Sequence, residues 1–214
     1  MERTDILEKL ERKEIKAEDV ARNAIKDPNL LPEIFVGISS KKARIKYGCA
    51  KALRIISKEN PEKLYPRMNF FTEQLDSDKR ILKWNALYVI ANLARVDVEN
   101  RFDGIFDRYY DLLNAEYMVT VANVVRNSGK IAKAKPHLIQ RITNELLKTE
   151  KLSLKSHLTQ ECKNIILGHV ISALGIYFSQ IENKDKVISF VKRQLDNTRN
   201  ATKVKAEEFL ERIK

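Results

Sequence analysis

The sequence predicts an all-α chain: a right-handed α-α superhelix of about five stacked helix pairs, closed at its N-terminus by a small helical cap. Three observations predict it. Hydrophobic residues make up 43% and charged residues 32% of the 214, which is too apolar for a disordered chain. Only 6 Gly and 5 Pro are present, too few to turn the strands of a large sheet. The third observation is an internal repeat that holds its register from one end of the chain to the other.

Two stretches nearly superimpose when shifted by 37 residues. Ile45-Lys46-Tyr47-Gly48-Cys49 runs on to Leu53 and Ile56, and Leu82-Lys83-Trp84-Asn85-Ala86 runs on to Ile90 and Leu93. A third copy, Lys203-Val204-Lys205-Ala206, runs on to Leu210 and Ile213. Two weaker copies replace the anchoring lysine by Val121 and Leu167. Three, seven and ten residues after each anchor stand Cys49, Leu53 and Ile56; Ala86, Ile90 and Leu93; Val124, Ser128 and Ile131; Val170, Leu174 and Tyr177; Ala206, Leu210 and Ile213. Those offsets share one face of a 3.6-residue helix, and Ser128 is its only polar member.

A second amphipathic stretch precedes each such helix, at residues 62–75, 99–114, 136–147 and 185–195. Breaks such as Asp76-Ser77-Asp78 and Asp196-Asn197-Thr198 separate the two, and their side chains are expected to cap the helix that follows. A helix pair cannot bury its apolar face alone, so neighbours must stack. Residues 1–28, with Ile6, Leu7, Leu10, Val20, Ala21, Ala24 and Ile25, are expected to cap the stack, and residues 29–214 to continue it as one domain.

The pattern of an apolar residue, an Asp or Ser turn, an apolar-basic pair, a small residue and then Leu or Ile resembles the HEAT repeat of the armadillo-like solenoids. Leu75, Asp76, Leu82-Lys83, Ala86 and Ile90 carry it best, followed by Ile38, Ile45-Lys46, Cys49 and Leu53, then Leu195, Asp196, Lys203, Ala206 and Leu210. The resemblance implies a protein-binding scaffold whose second helices line a groove, and a basic ladder between repeats that is incomplete here. Positions two, five, nine and twelve after each anchor project away from the core. In the central repeats they carry Asn85, Tyr88, Asn92 and Arg95, then Asn123, Arg126, Lys130 and Lys133. Further on they carry His169, Ser172, Ile176 and Ser179, and finally Lys205, Glu208 and Arg212. Asn85, Tyr88, Asn92, Arg95, Asn123, Arg126 and Lys130 are the expected groove, since such groups can donate hydrogen bonds to carboxylates, phosphates or exposed backbone.

The formal charge is +11, which suits an acidic partner, nucleic acid included. Eight basic residues crowd residues 126–155 against Glu145 and Glu150. Lys133, Lys135, Arg141, Lys148, Lys151 and Lys155 are expected to extend a basic patch from Arg126 and Lys130. Between anchors 121 and 167 the spacing lengthens to 46, and the extra residues fit at Lys148–His157. Insertions in a repeat array often mark a binding face. A nucleic-acid-binding reading follows from this patch.

No constellation of catalytic residues, metal-ligand spacing or cofactor motif is legible, so the chain reads as a non-enzyme without cofactor. Cys162 and His169 stand seven residues apart, about 10 Å along a helix and too far for direct thiol activation. Cys49 and Cys162 read as buried free thiols. Trp84 in a basic helical solenoid is similar to the HEAT-like DNA alkylpurine glycosylases, which place aromatic residues around a catalytic aspartate. Here Trp84 falls beside the core, and no acid stands among the central groove positions. No charged-then-apolar leader or uninterrupted apolar run of membrane length is seen, and a cytoplasmic protein is expected.

Overall fold

The computed structural model of the chain describes residues 6–213. Their regular structure is helical throughout, apart from one antiparallel bridge between Lys155 and Leu158. They form two compact units, one ending at Arg101 and the other beginning at Phe102.

The first unit contains α1 (Ile6–Glu11), α2 (Ala17–Lys26), α3 (Leu31–Gly37), α4 (Ala43–Glu59), α5 (Met68–Glu73) and α6 (Arg80–Leu93). Helix α3 packs on α4 and α5 on α6, so each is a pair, and α4 also packs on α6 across the repeat. The expected cap is itself a helix pair. Its second member, α2, lies against α4 much as α4 lies against α6. The Arg44 guanidinium donates to the Leu10 carbonyl at 2.7 Å, satisfying an acceptor near the end of α1 that the helix leaves open. Phe35, Phe70 and Phe71 meet in edge-on and tilted contacts 5.0–5.8 Å apart, filling the space between α3 and α5.

The second unit follows the same plan with α7 (Arg101–Asp111), α8 (Met118–Ala134), α9 (Ile139–Lys148), α10 (Gln160–Tyr177), α11 (Lys184–Arg193) and α12 (Asn200–Arg212). Helix α10 packs on α8 on one side and on α12 on the other. Covered from two sides, α10 reads as nearly apolar, and Gln160–Gln180 is long and apolar enough to cross a membrane. Half of that stretch is buried inside the protein.

The three core columns are buried in every repeat up to Ala206; Leu210 on α12 and Ile213 just after it are half-buried, and no described helix stacks beyond them. Ser128, the polar exception, is also fully buried. Its hydroxyl donates to the Val124 carbonyl at 2.9 Å and accepts from the Tyr110 hydroxyl at 3.1 Å, so its burial leaves no polar atom stranded.

The expected helix caps differ in detail. Helices α4, α6 and α12 begin after Lys42, Lys79 and Arg199, none of which caps with its side chain. Two residues earlier, Ser40, Ser77 and Asn197 accept the backbone N–H of Lys42, Lys79 and Arg199 at 2.9–3.2 Å. The short polar side chain thus sets the turn rather than the first helical N–H groups. Thr159 does cap: its hydroxyl accepts from the Cys162 N–H at 3.3 Å and starts α10. That places Cys162 on an exposed first turn, so this thiol is half-buried whereas Cys49 is enclosed.

Candidate functional site

The seven expected groove residues divide between the units and differ in what they do. On α6, Asn85 donates back to the Ile81 carbonyl of its own helix at 2.8 Å. Tyr88 is half-buried beneath the Arg54 guanidinium of α4, 4.4 Å from its ring centre. Asn92 is only 5% exposed and donates to the buried Ser57 hydroxyl of α4 at 3.0 Å. Arg95 donates to the Lys58 carbonyl at 2.7 Å, closing an acceptor at the end of α4. Tyr88, Asn92 and Arg95 thus fasten α6 to α4, whereas Asn85 bonds only its own helix. Asn92 in particular is a buried strut and does not face solvent as the offset alone suggests.

The α8 positions behave otherwise. Asn123 is 7% exposed, and its side-chain amide makes no hydrogen bond among the described residues. Arg126, one turn on, is exposed and forms neither ion pair nor hydrogen bond among them. Lys130 and Lys133 continue the exposed line along α8. Equivalent positions on the next helices carry His169 on α10 and Lys205 on α12, both half-buried. Lys205 donates to the Gly168 carbonyl at 3.3 Å, while the His169 ring makes no hydrogen bond among the described residues.

Cations dominate the electrostatics around His169. Burial, then Lys205, Arg126 and Arg199, hold the His169 imidazole down to about 4, so it is neutral at pH 7. Burial, followed by Arg126, lowers the Lys205 ammonium, with Arg199 adding to the effect and Glu208 opposing it. Arg199 itself is paired with Glu161. His169 and Lys205 stand in the same repeat column as Asn123, two after the anchor, and that shared column was the signal that could have put them in the site. Attention to the central repeats alone leaves them out.

The basic stretch does not form one surface. Lys135 is 4% exposed, tucked at the end of α8 before Pro136. Arg141 pairs with Asp107 at 3.0 Å and lies 4.0 Å above the Phe106 ring, on the α7–α9 side. Lys148, Lys151 and Lys155 gather around a depression of about 340 Å³ with Asn114 and Leu152. Lys155 donates to the Asn114 carbonyl at 2.9 Å, just before α8 begins. Lys133 lies near the opposite end of α8, about 22 Å from its first residue at the helical rise. Of the expected insertion at 148–157, Lys148 ends α9 and 149–151 form a helical turn, so the loop runs over residues 152–159, with the His157 ring stacked on Tyr117 at 4.7 Å.

Nothing in the geometry assembles a reaction centre from the residues considered for one. Trp84 is half-buried on α6. Burial pushes the Cys49 thiol up to about 12. His137 lies 2.7 Å from Asp103 on the α7–α9 side, away from either thiol in sequence. Among the described residues no three His, Cys, Asp or Glu side chains gather as metal ligands.

No family model matches the chain, and no curated protein matches it in sequence. Solved structures do match. A designed armadillo repeat protein superimposes with a TM-score of 0.61 at 16% identity, over 93% of this chain and 87% of that one. Another designed armadillo repeat protein, in complex with the peptide (KR)4, gives 0.62 at 13% identity over 92% and 90%. An engineered protein of the Northeast Structural Genomics Consortium gives 0.61 at 19% identity over 100% and 99%. The chain has the all-α, armadillo-like helical-repeat fold.

Proposed function

We propose that this chain is a protein-interaction scaffold that holds an extended segment of another protein on its second-helix face, chiefly on α8, α10 and α12. One contrast carries the reading. At the same repeat positions on α6, Asn85 bonds the Ile81 carbonyl and Tyr88 packs beneath Arg54, whereas Asn123, Arg126 and His169 make no side-chain hydrogen bond among the described residues. The Asn123 amide is not among the buried polar atoms that lack a partner, so it stays within reach of solvent and can pair with a ligand backbone. The peptide complex of one structural neighbour supports the same use of the fold.

The division of the basic stretch also favours a protein partner over nucleic acid. A nucleic-acid groove tracks the backbone with continuous positive charge, whereas Lys133 and Lys148–Lys155 lie at opposite ends of α8. Panning a displayed library of random peptides tests the reading. The wild-type protein is expected to enrich sequences that Asn123→Ala combined with Arg126→Ala no longer enriches. Equal enrichment by both proteins would contradict it.

A further inference from the structure

Resting on that reading, we infer that the segment bound by α8, α10 and α12 is acidic and extended, with carboxylates spaced about three residues apart. Asn123, His169 and Lys205 are one column repeated on three helices that pack in succession. Arg126 stands beside the first rung, and its charge is felt at both of the others. Three neighbouring cations therefore act on His169, with no carboxylate among the groups that do so. The Glu161 carboxylate is already taken by Arg199. Glu208 is the one acid that acts on Lys205.

Like charges gathered on a face stabilise an incoming anion twice, through attraction and through relief of their mutual repulsion. A cationic segment such as the (KR)4 peptide in the designed neighbour's complex would meet like charge here. The rung spacing sets the ligand's geometry. Packed helices lie about 8–10 Å apart. A chain in the polyproline II conformation rises about 3.1 Å per residue with three residues per turn, so every third side chain points the same way about 9 Å further on. Glu or Asp at every third position would place one carboxylate beside Arg126 and the next two at His169 and Lys205, while the Asn123 amide serves the peptide backbone.

The test is fluorescence anisotropy on the full chain with a labelled nonapeptide carrying Glu at every third position and Ser, Pro or Gln between. Three probes accompany it: the same peptide with Gln for Glu, the same with Lys for Glu, and a short single-stranded oligonucleotide. The Glu peptide is expected to bind about tenfold or more tightly than the Gln peptide, and less tightly as salt is raised. Arg126→Glu should remove most of that preference. It lies at an exposed position that makes no internal bond, so the fold is retained, as circular dichroism can verify. Lys148→Glu with Lys151→Glu, at the far depression, should leave it intact.

Equal binding of the Glu and Gln peptides, survival of the preference in Arg126→Glu, or tighter binding of the oligonucleotide through Arg126 would each overturn the inference. If a neutral peptide from the display selection still binds this face, the scaffold reading stands while the acidic specificity falls. Should neither that peptide nor the Glu peptide bind, both fall.

Discussion

The Asn92 side-chain amide donates to the Ser57 hydroxyl at 3.0 Å between two buried positions, joining α6 to α4 across 35 residues of sequence. Asn123 stands two residues after its anchor, as Asn92 stands nine after, yet its side chain has no such partner. Truncating the two should therefore separate stability from binding. Asn92→Ala is expected to cost about 1–2 kcal/mol in urea denaturation, from a lost buried hydrogen bond and its packing. Asn123→Ala should cost well under that while weakening peptide binding. Equal destabilisation by both would mean that Asn123 is also a strut.

Tyr110 and Ser128 make the second prediction. Both are buried, and burial pushes the Tyr110 phenol well above its usual range, so the phenol stays protonated and donates to Ser128. Tyr110→Phe removes that donor but leaves the Ser128 bond to the Val124 carbonyl. A loss of about 1 kcal/mol is expected from a thermal or urea transition, with no change in peptide affinity.

His169 supplies a pH dependence whose sign can be worked out. Its folded value of about 4 lies below the unfolded value of about 6.5. Between those two the unfolded chain binds the extra proton and the folded chain does not. Its contribution is therefore present above pH 6.5 and is lost progressively as pH falls toward 4. An NMR titration of the imidazole should show a midpoint near 4, shifted upward in Arg126→Ala because one opposing cation is gone. A midpoint near the ordinary histidine value would place His169 away from that cluster.

The two thiols should react differently. Cys49 is enclosed, with its thiol pushed up to about 12, whereas Cys162 lies half-buried on the first turn of α10. A thiol reagent added to the native protein should label Cys162 and spare Cys49 until denaturant opens the first unit. Fast labelling of both would argue against the packing of α4.

Much of the fold was legible because the repeat fixes a period and the period fixes a face. Cys49, Leu53, Ile56 and their counterparts could be assigned to the core from spacing alone, since every repeat had to bury the same positions. Ser128 broke that pattern only in chemistry, and Tyr110, from a different helix, resolves it. The site was less legible because an offset gives a direction and not a neighbour. Asn92 and Asn123 point from equivalent faces, but Ser57 reaches one and no side chain reaches the other. Lys135 read as part of a patch because sequence proximity ignores the turn at Pro136, which folds it inward. His169 and Lys205 needed three helices side by side before their column became a face.

The proposed binding surface is the second-helix face of α8, α10 and α12. Amide chemical shifts of isotopically labelled protein, followed while a peptide from the display selection is added, test it most directly. Saturable shifts are predicted to cluster around Asn123, Arg126, His169 and Lys205, with little change at the 152–159 loop. Shifts centred on that loop or on α9 and α11, with α8 and α10 silent, would contradict it.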